Sequence, residues 1–315
     1  MLHWRWLNLA LILTLLVAGA ACSSTDEDDS QTPSEQSDPF EFTSSDQPLN
    51  EADVFDWFAR HLSSWDGLAN LAIQEGDVRR QRVELEKKLG NQALKSREML
   101  ISALRNGSPW QQTIAAAALG FLPNRESSRE LVPLMLETLG AADDERVIGN
   151  LLMSITHIAD EDTDVSPIID KMLKYPSQSV RRNAAAALVA LANPQLESQV
   201  SRQMMIALED EDEVVRALAA QALGELHSNI AVGNLIHKLN DGFSIVQREA
   251  ALALGKIGNP LAVEPLIEKL SSGDPEVQEA STTALLEFSG GVKLETKEAW
   301  LQWWDRERSR AMKSQ

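Results

Sequence analysis

From about residue 106 onward, two helical patterns alternate along the chain. In "AVEPLIEKL", Val263, Leu266, Ile267 and Leu270 recur at i, i+3, i+4 and i+7. That spacing puts them on one stripe of a helix. The preceding word, "VQREAALALGKIGNP", has a different character. Its inward positions fall to Ala250, Ala251 and Ala253, followed by Leu254. Gly258 ends this pattern, because glycine adopts the left-handed conformation of a helix C-terminus at little cost. Pro260 then blocks continuation. The pair predicts two helices joined by a tight turn.

The same words recur. Counted from the residue four places before the first alanine, copies start at Gln111, Val147, Val180, Val215, Val246 and Val277. The intervals are 36, 33, 35, 31 and 31 residues. Val215 is followed by Ala219, Ala220, Ala222 and Leu223, and Val180 by Ala184, Ala185, Ala187 and Leu188. The copies from Val147 and Val277 are degraded, with Ser154 and Ser281 among larger residues. The second word returns as "AVGNLIHKL", "DVSPIIDKML" and "ELVPLMLETL". Helices with bulky side chains pack about 8–10 Å apart, whereas alanine permits closer approach on both sides, as stacking requires. Asp212, Asp241 and Asp274 precede first helices and are expected to cap their free amides.

These words, above all "VRALAAQALGEL", "VQREAALALGKIG" and "AVEPLIEKL", resemble the HEAT-repeat superfamily, in its short phycobilisome-lyase-like form. The resemblance covers about residues 106–290. It implies an all-α fold, an α–α superhelix built as a solenoid of helical hairpins. It also implies that Arg181 and Arg216, just after the valine, pair with acidic loop residues of an adjacent copy; Arg248 stands one place later. A solenoid needs special ends. Helical caps are expected at residues 51–107 and 292–315, with repeats over 108–291. In the first, Val54, Trp57, Phe58 and His61 share a face; in the second, Trp300, Trp303 and Trp304 stand at i, i+3 and i+4.

The N-terminus reads differently. "MLHWRWLNLALILTLLVAGAAC" has one positive charge, an apolar run and then small residues, the layout of a secretory signal. As a helix the run from residue 7 to 21 would rise roughly 22 Å, short of the ~30 Å hydrocarbon core of a membrane. Gly19, Ala20, Ala21 and Cys22 resemble the lipobox of bacterial lipoproteins, with glycine where leucine is usual. That resemblance implies lipidation of Cys22, the chain's single cysteine. The alternative is ordinary secretion with Cys22 as an incidental thiol. Residues 23–50 are polar and acidic and are expected to be a disordered linker, spanning roughly 30 Å.

The formal charge is −18. Residues 23–56 hold eleven acids and no base, so residues 57–315 carry only −8. An acidic chain repels phosphate backbones, which excludes nucleic acid as the expected partner. Some enzymes are built on similar helices. Di-iron deoxyhypusine hydroxylases use His-Glu pairs, but none of the five histidines here precedes a glutamate. Glycosylases of this kind need a basic groove. No phosphate loop or nucleophile triad stands out, and neither a metal nor a cofactor is expected.

Outward positions of the second helices form a mixed strip of Glu137, Asp170, Ile206, His237 and Glu268, expected to lie on the inner curved face and to meet a partner. Solvation alone does not account for an exposed Ile206. The sequence reading is a non-enzymatic protein-interaction scaffold. It would be tethered to the bacterial cell envelope through lipidated Cys22, at the periplasmic face of the outer membrane or the cell surface. The alternative is a bilin-lyase-like enzyme or subunit that cradles a small molecule on the concave face.

Overall fold

Small side chains at fixed offsets give this chain a stack of helices in register. The computed structural model describes residues 50–71, 76–123 and 128–313. The signal segment, Cys22 and nearly all of the acidic linker lie outside the described residues. Among the described residues, all regular structure is helical.

Three helices precede the repeats: α1 (Glu51–Leu71), α2 (Gly76–Lys95) and α3 (Arg97–Asn106). The alanine-rich helices are α4 (Pro109–Leu119), α6 (Glu145–Ile158), α8 (Gln178–Leu191), α10 (Glu213–Glu225), α12 (Ser244–Ile257) and α14 (Pro275–Ser289). Each begins two residues before the copy start read from sequence. Between them run the second helices: α5 (Val132–Ala141), α7 (Ser166–Lys174), α9 (Glu197–Ala207), α11 (Val232–Lys238) and α13 (Val263–Lys269). Short 3-10 turns lead into the last three: Pro194–Leu196, Asn229–Ala231 and Pro260–Ala262. The chain closes with α15 (Lys297–Lys313), which lies against α13 and buries Trp300.

First helices stack in one continuous layer, from α4 through α6, α8, α10 and α12 to α14. The alanines at offsets four, five and seven are sealed. Ala219, Ala220 and Ala222 are fully buried, as are Ala250 and Ala251. Glycine two places further on sets how tightly neighbours lie. A Cβ on Gly224 would sit 2.8 Å from Ala253 Cα, and one on Gly255 would sit 2.7 Å from Ala284 Cα. Gly120 meets Ser154 at the same offsets, and Ser154 Oγ donates to the Ala116 carbonyl at 2.7 Å. Where Thr156 and Val189 replace that glycine, the α6–α8 and α8–α10 contacts are less extensive than α10–α12 or α12–α14.

The hairpins pair differently from the copies as counted in sequence. Each second helix packs against the first helix that follows it, giving α5/α6, α7/α8, α9/α10, α11/α12 and α13/α14. Helices within one sequence copy, such as α12 and α13, make little contact. Periodicity fixes the repeat length but not where a unit begins.

Arginines tie the copies from Val180 onward to one another. Arg181 Nε and Nη2 donate to Asp210 at 2.9 and 3.0 Å. Arg216 makes the same two-pronged pair with Asp241, both bonds at 2.9 Å. Arg248 reaches Glu276 at 3.1 Å. The implied ladder is therefore present, and Arg182–Asp212 adds a further rung. The aspartates divide in role. Asp212 caps α10 through the amides of Val214 and Val215, and Asp274 caps α14 through those of Glu276 and Val277. Asp241 does not cap α12, whose N-cap is Phe243. Its carboxylate accepts instead from Phe243 N and Arg216. Burial would raise the pKa of Asp212 and of Asp241, but their arginines and backbone amides outweigh it and hold both below the ordinary 3.8.

Candidate functional site

Each second helix buries one stripe and leaves other positions exposed, one of which recurs in register from helix to helix. On α5, Met135 and Leu139 are fully buried while Glu137 is exposed; on α13, Leu266 and Ile267 are fully buried while Glu268 is exposed. Asp170 on α7, Ile206 on α9 and His237 on α11 are exposed in the same way. All five stand nine or ten residues before the next copy's start, so they share a register on consecutive second helices. Asp170 is paired with Lys174 at 2.7 Å on the same helix. Ile206 is 62% exposed.

From α9 to α14, first helices are in close contact, whereas α9, α11 and α13 meet mainly through the 3-10 turns between them. Ile206, His237 and Glu268 stand on the second-helix side of this stack.

Two features escaped the sequence reading. Ile230 and Leu261 occupy the same place in successive 3-10 turns and are 56% and 72% exposed. Beside them Asn259 Nδ2 donates to Asn229 Oδ1 at 3.1 Å. They fall outside the i, i+3, i+4, i+7 stripe, so helical periodicity gave no signal. The second feature is a groove of about 520 Å³ between α5 and the loop of residues 159–165, next to Glu137. Val132, Leu136, Pro133 and Pro167 supply its apolar surface. Glu137, Asp160, Asp162 and Asp164 line it against one cation, Arg129. The run "DEDTD" was visible in sequence, but its juxtaposition with α5 was not.

Histidines are scattered: His61 on α1, His157 on α6, His227 after α10 and His237 on α11. Among the described residues, no three His, Cys, Asp or Glu side chains gather to hold a metal ion. No described helix is long and apolar enough to cross a membrane.

Residues 201–286 match the family model for HEAT repeats. That segment, α9 to α14, is made of HEAT repeats. No curated protein matches the chain. Solved structures with a similar course include a designed armadillo repeat protein, 21% identical, covering 60% of this chain and 98% of its own, with a TM-score of 0.47. Human deoxyhypusine hydroxylase in complex with glycerol is 19% identical, over 66% of this chain and 78% of its own, with a TM-score of 0.36. The CpcE–CpcF complex of phycocyanin lyase from Nostoc is also 19% identical, over 87% and 99%, with a TM-score of 0.36. Likeness at this level carries no information on partner or reaction.

Proposed function

We propose that this chain is a non-enzymatic scaffold that docks another protein on the exposed strip of its second helices. The observation that carries this reading is Ile206. A large aliphatic side chain is 62% exposed in the middle of a strip that runs over the five second helices. Isolated surface apolar residues are ordinary, but this one is flanked in register by Asp170 and His237, and Ile230 and Leu261 add apolar surface on adjacent turns. The surface is open and mixed, which suits a protein partner better than enclosure of a small molecule. Capture with wild type and with Ile206→Asp tests it. The partner retained by wild type should be lost from the variant, while equal retention would remove Ile206 from the interface.

The remaining part of the proposal concerns location. Cys22 after Gly19, Ala20 and Ala21 supports lipid attachment to the bacterial cell envelope, at the periplasmic face of the outer membrane or at the cell surface. Residues 23–50 would serve as the spacer between lipid and folded repeats. Two or more acyl chains give stable anchoring, where one binds only marginally. Metabolic labelling with a fatty acid should mark wild type and not Cys22→Ser; equal labelling would exclude the anchor.

A further inference from the structure

We propose that the groove between α5 and the loop of residues 159–165 takes an extended, lysine- or arginine-bearing segment of the docked protein, an inference that rests on the docking role above. The chemistry of the groove is that of a long cationic side chain. Pro133, Leu136 and Pro167 offer apolar surface to an alkyl stem, and such stems lie along apolar surface while the charged head stays wet. Four carboxylates against one guanidinium leave the lining three charges negative.

Two of those carboxylates are already engaged. Asp164 Oδ1 accepts from Ser166 N and Ser166 Oγ at 3.0 and 2.6 Å. Asp160 accepts from Thr163 Oγ1 at 3.0 Å and lies 3.6 Å from Arg129. Arg129 thus shows that a guanidinium is accommodated here. Glu137 and Asp162 are exposed, and neither has an ion-pair partner among the described residues. They are the free acceptors for an incoming cation, which bonds a carboxylate with charge assistance.

Other occupants fit less well. The chain's own residues 23–56 carry eleven acids and no base, so they are repelled. Nucleic acid and anionic lipid are repelled for the same reason. The basic stretches of a second copy lie on α2 and α15, which are helical rather than extended, and Arg82, Lys87, Arg308 and Arg310 there are engaged with carboxylates of their own chain.

The test is a fluorescence anisotropy titration of the full chain, held in detergent, with a fluorescein-labelled octapeptide of four Lys-Pro repeats. A Glu-Pro octapeptide serves as its counterpart. Saturable binding of the Lys-Pro peptide alone is expected. Glu137→Gln/Asp162→Asn should weaken it by about tenfold or more, and Asp162→Asn alone should weaken it partly. Glu279→Gln/Glu287→Gln removes the same charge elsewhere and should change affinity by less than about twofold. Circular dichroism should be unchanged for every variant, since all four side chains are exposed. The inference is overturned if the control pair weakens binding as much, or if the Lys-Pro peptide does not saturate. It is also overturned if sedimentation shows self-association that the Glu137/Asp162 pair abolishes, which would assign the groove to a second copy. A negative peptide result beside an Ile206-dependent partner would remove the groove and leave the docking strip standing.

Discussion

At the residue scale, the stack depends on what is missing from glycine. Gly255 has no Cβ, and one placed there would lie 2.7 Å from Ala284 Cα, a backbone atom that cannot swing aside. Gly255→Ala should therefore cost about 1–3 kcal/mol by overpacking. Gly273→Ala, where nothing lies within 4 Å, should be within about 0.5 kcal/mol of wild type. Urea unfolding of both variants checks the pair. Ala251→Leu belongs to the same class and should also cost about 1–3 kcal/mol, since Ala251 is fully buried. The sequence carried this lesson at the level of alanine offsets. The glycine two residues later was visible as a recurring letter, but its partner, the small residue of the next copy, needed coordinates.

At the element scale, the loops are tied by buried ion pairs. The side chains of Arg216 and Asp241 are 11% and 7% exposed. Removing one partner strands the other, so Arg216→Ala should cost about 3–5 kcal/mol, read from urea unfolding. The same carboxylates set an acid limit. Asp212 and Asp241 have folded-state pKa values below the ordinary 3.8. The unfolded chain then binds more protons in that window, so their stabilisation is complete above about pH 5 and is lost as pH falls through 3.8 and below. A melting series from pH 7 to pH 3 should be flat above about pH 5 and then fall. In Asp241→Asn the fall should be shallower, from a lower starting Tm. Equal slopes would detach the pair from acid stability.

The element scale is also where the sequence was read best and least. All six first-helix starts fall two residues inside their helices, because packing on both faces leaves alanine little freedom in register. Which helix pairs with which could not be read, since a period has no origin. The role of Asp241 could have been. Asp212 and Asp274 stand three residues before Val215 and Val277, but Asp241 stands five before Val246, too far upstream to cap.

At the scale of the whole molecule, stability in a stack is a sum over neighbours. A defect at the α12–α14 contact should therefore act locally. Hydrogen exchange in Gly255→Ala should lose protection in α14 and α15 while α4 and α6 keep theirs. Uniform loss would mean the repeats unfold as one unit. The five-residue strip was legible as exposed positions, and it is exposed. The groove stayed hidden because two separated segments build it.

The docking claim meets its most direct test in site-specific photocrosslinking within intact cells. A photoreactive residue is placed at position 206, at position 237 or, on the exposed part of α14, at position 279. The account predicts one shared adduct from 206 and 237 and none from 279. An adduct formed from 279 alone, or equally from all three, would contradict it.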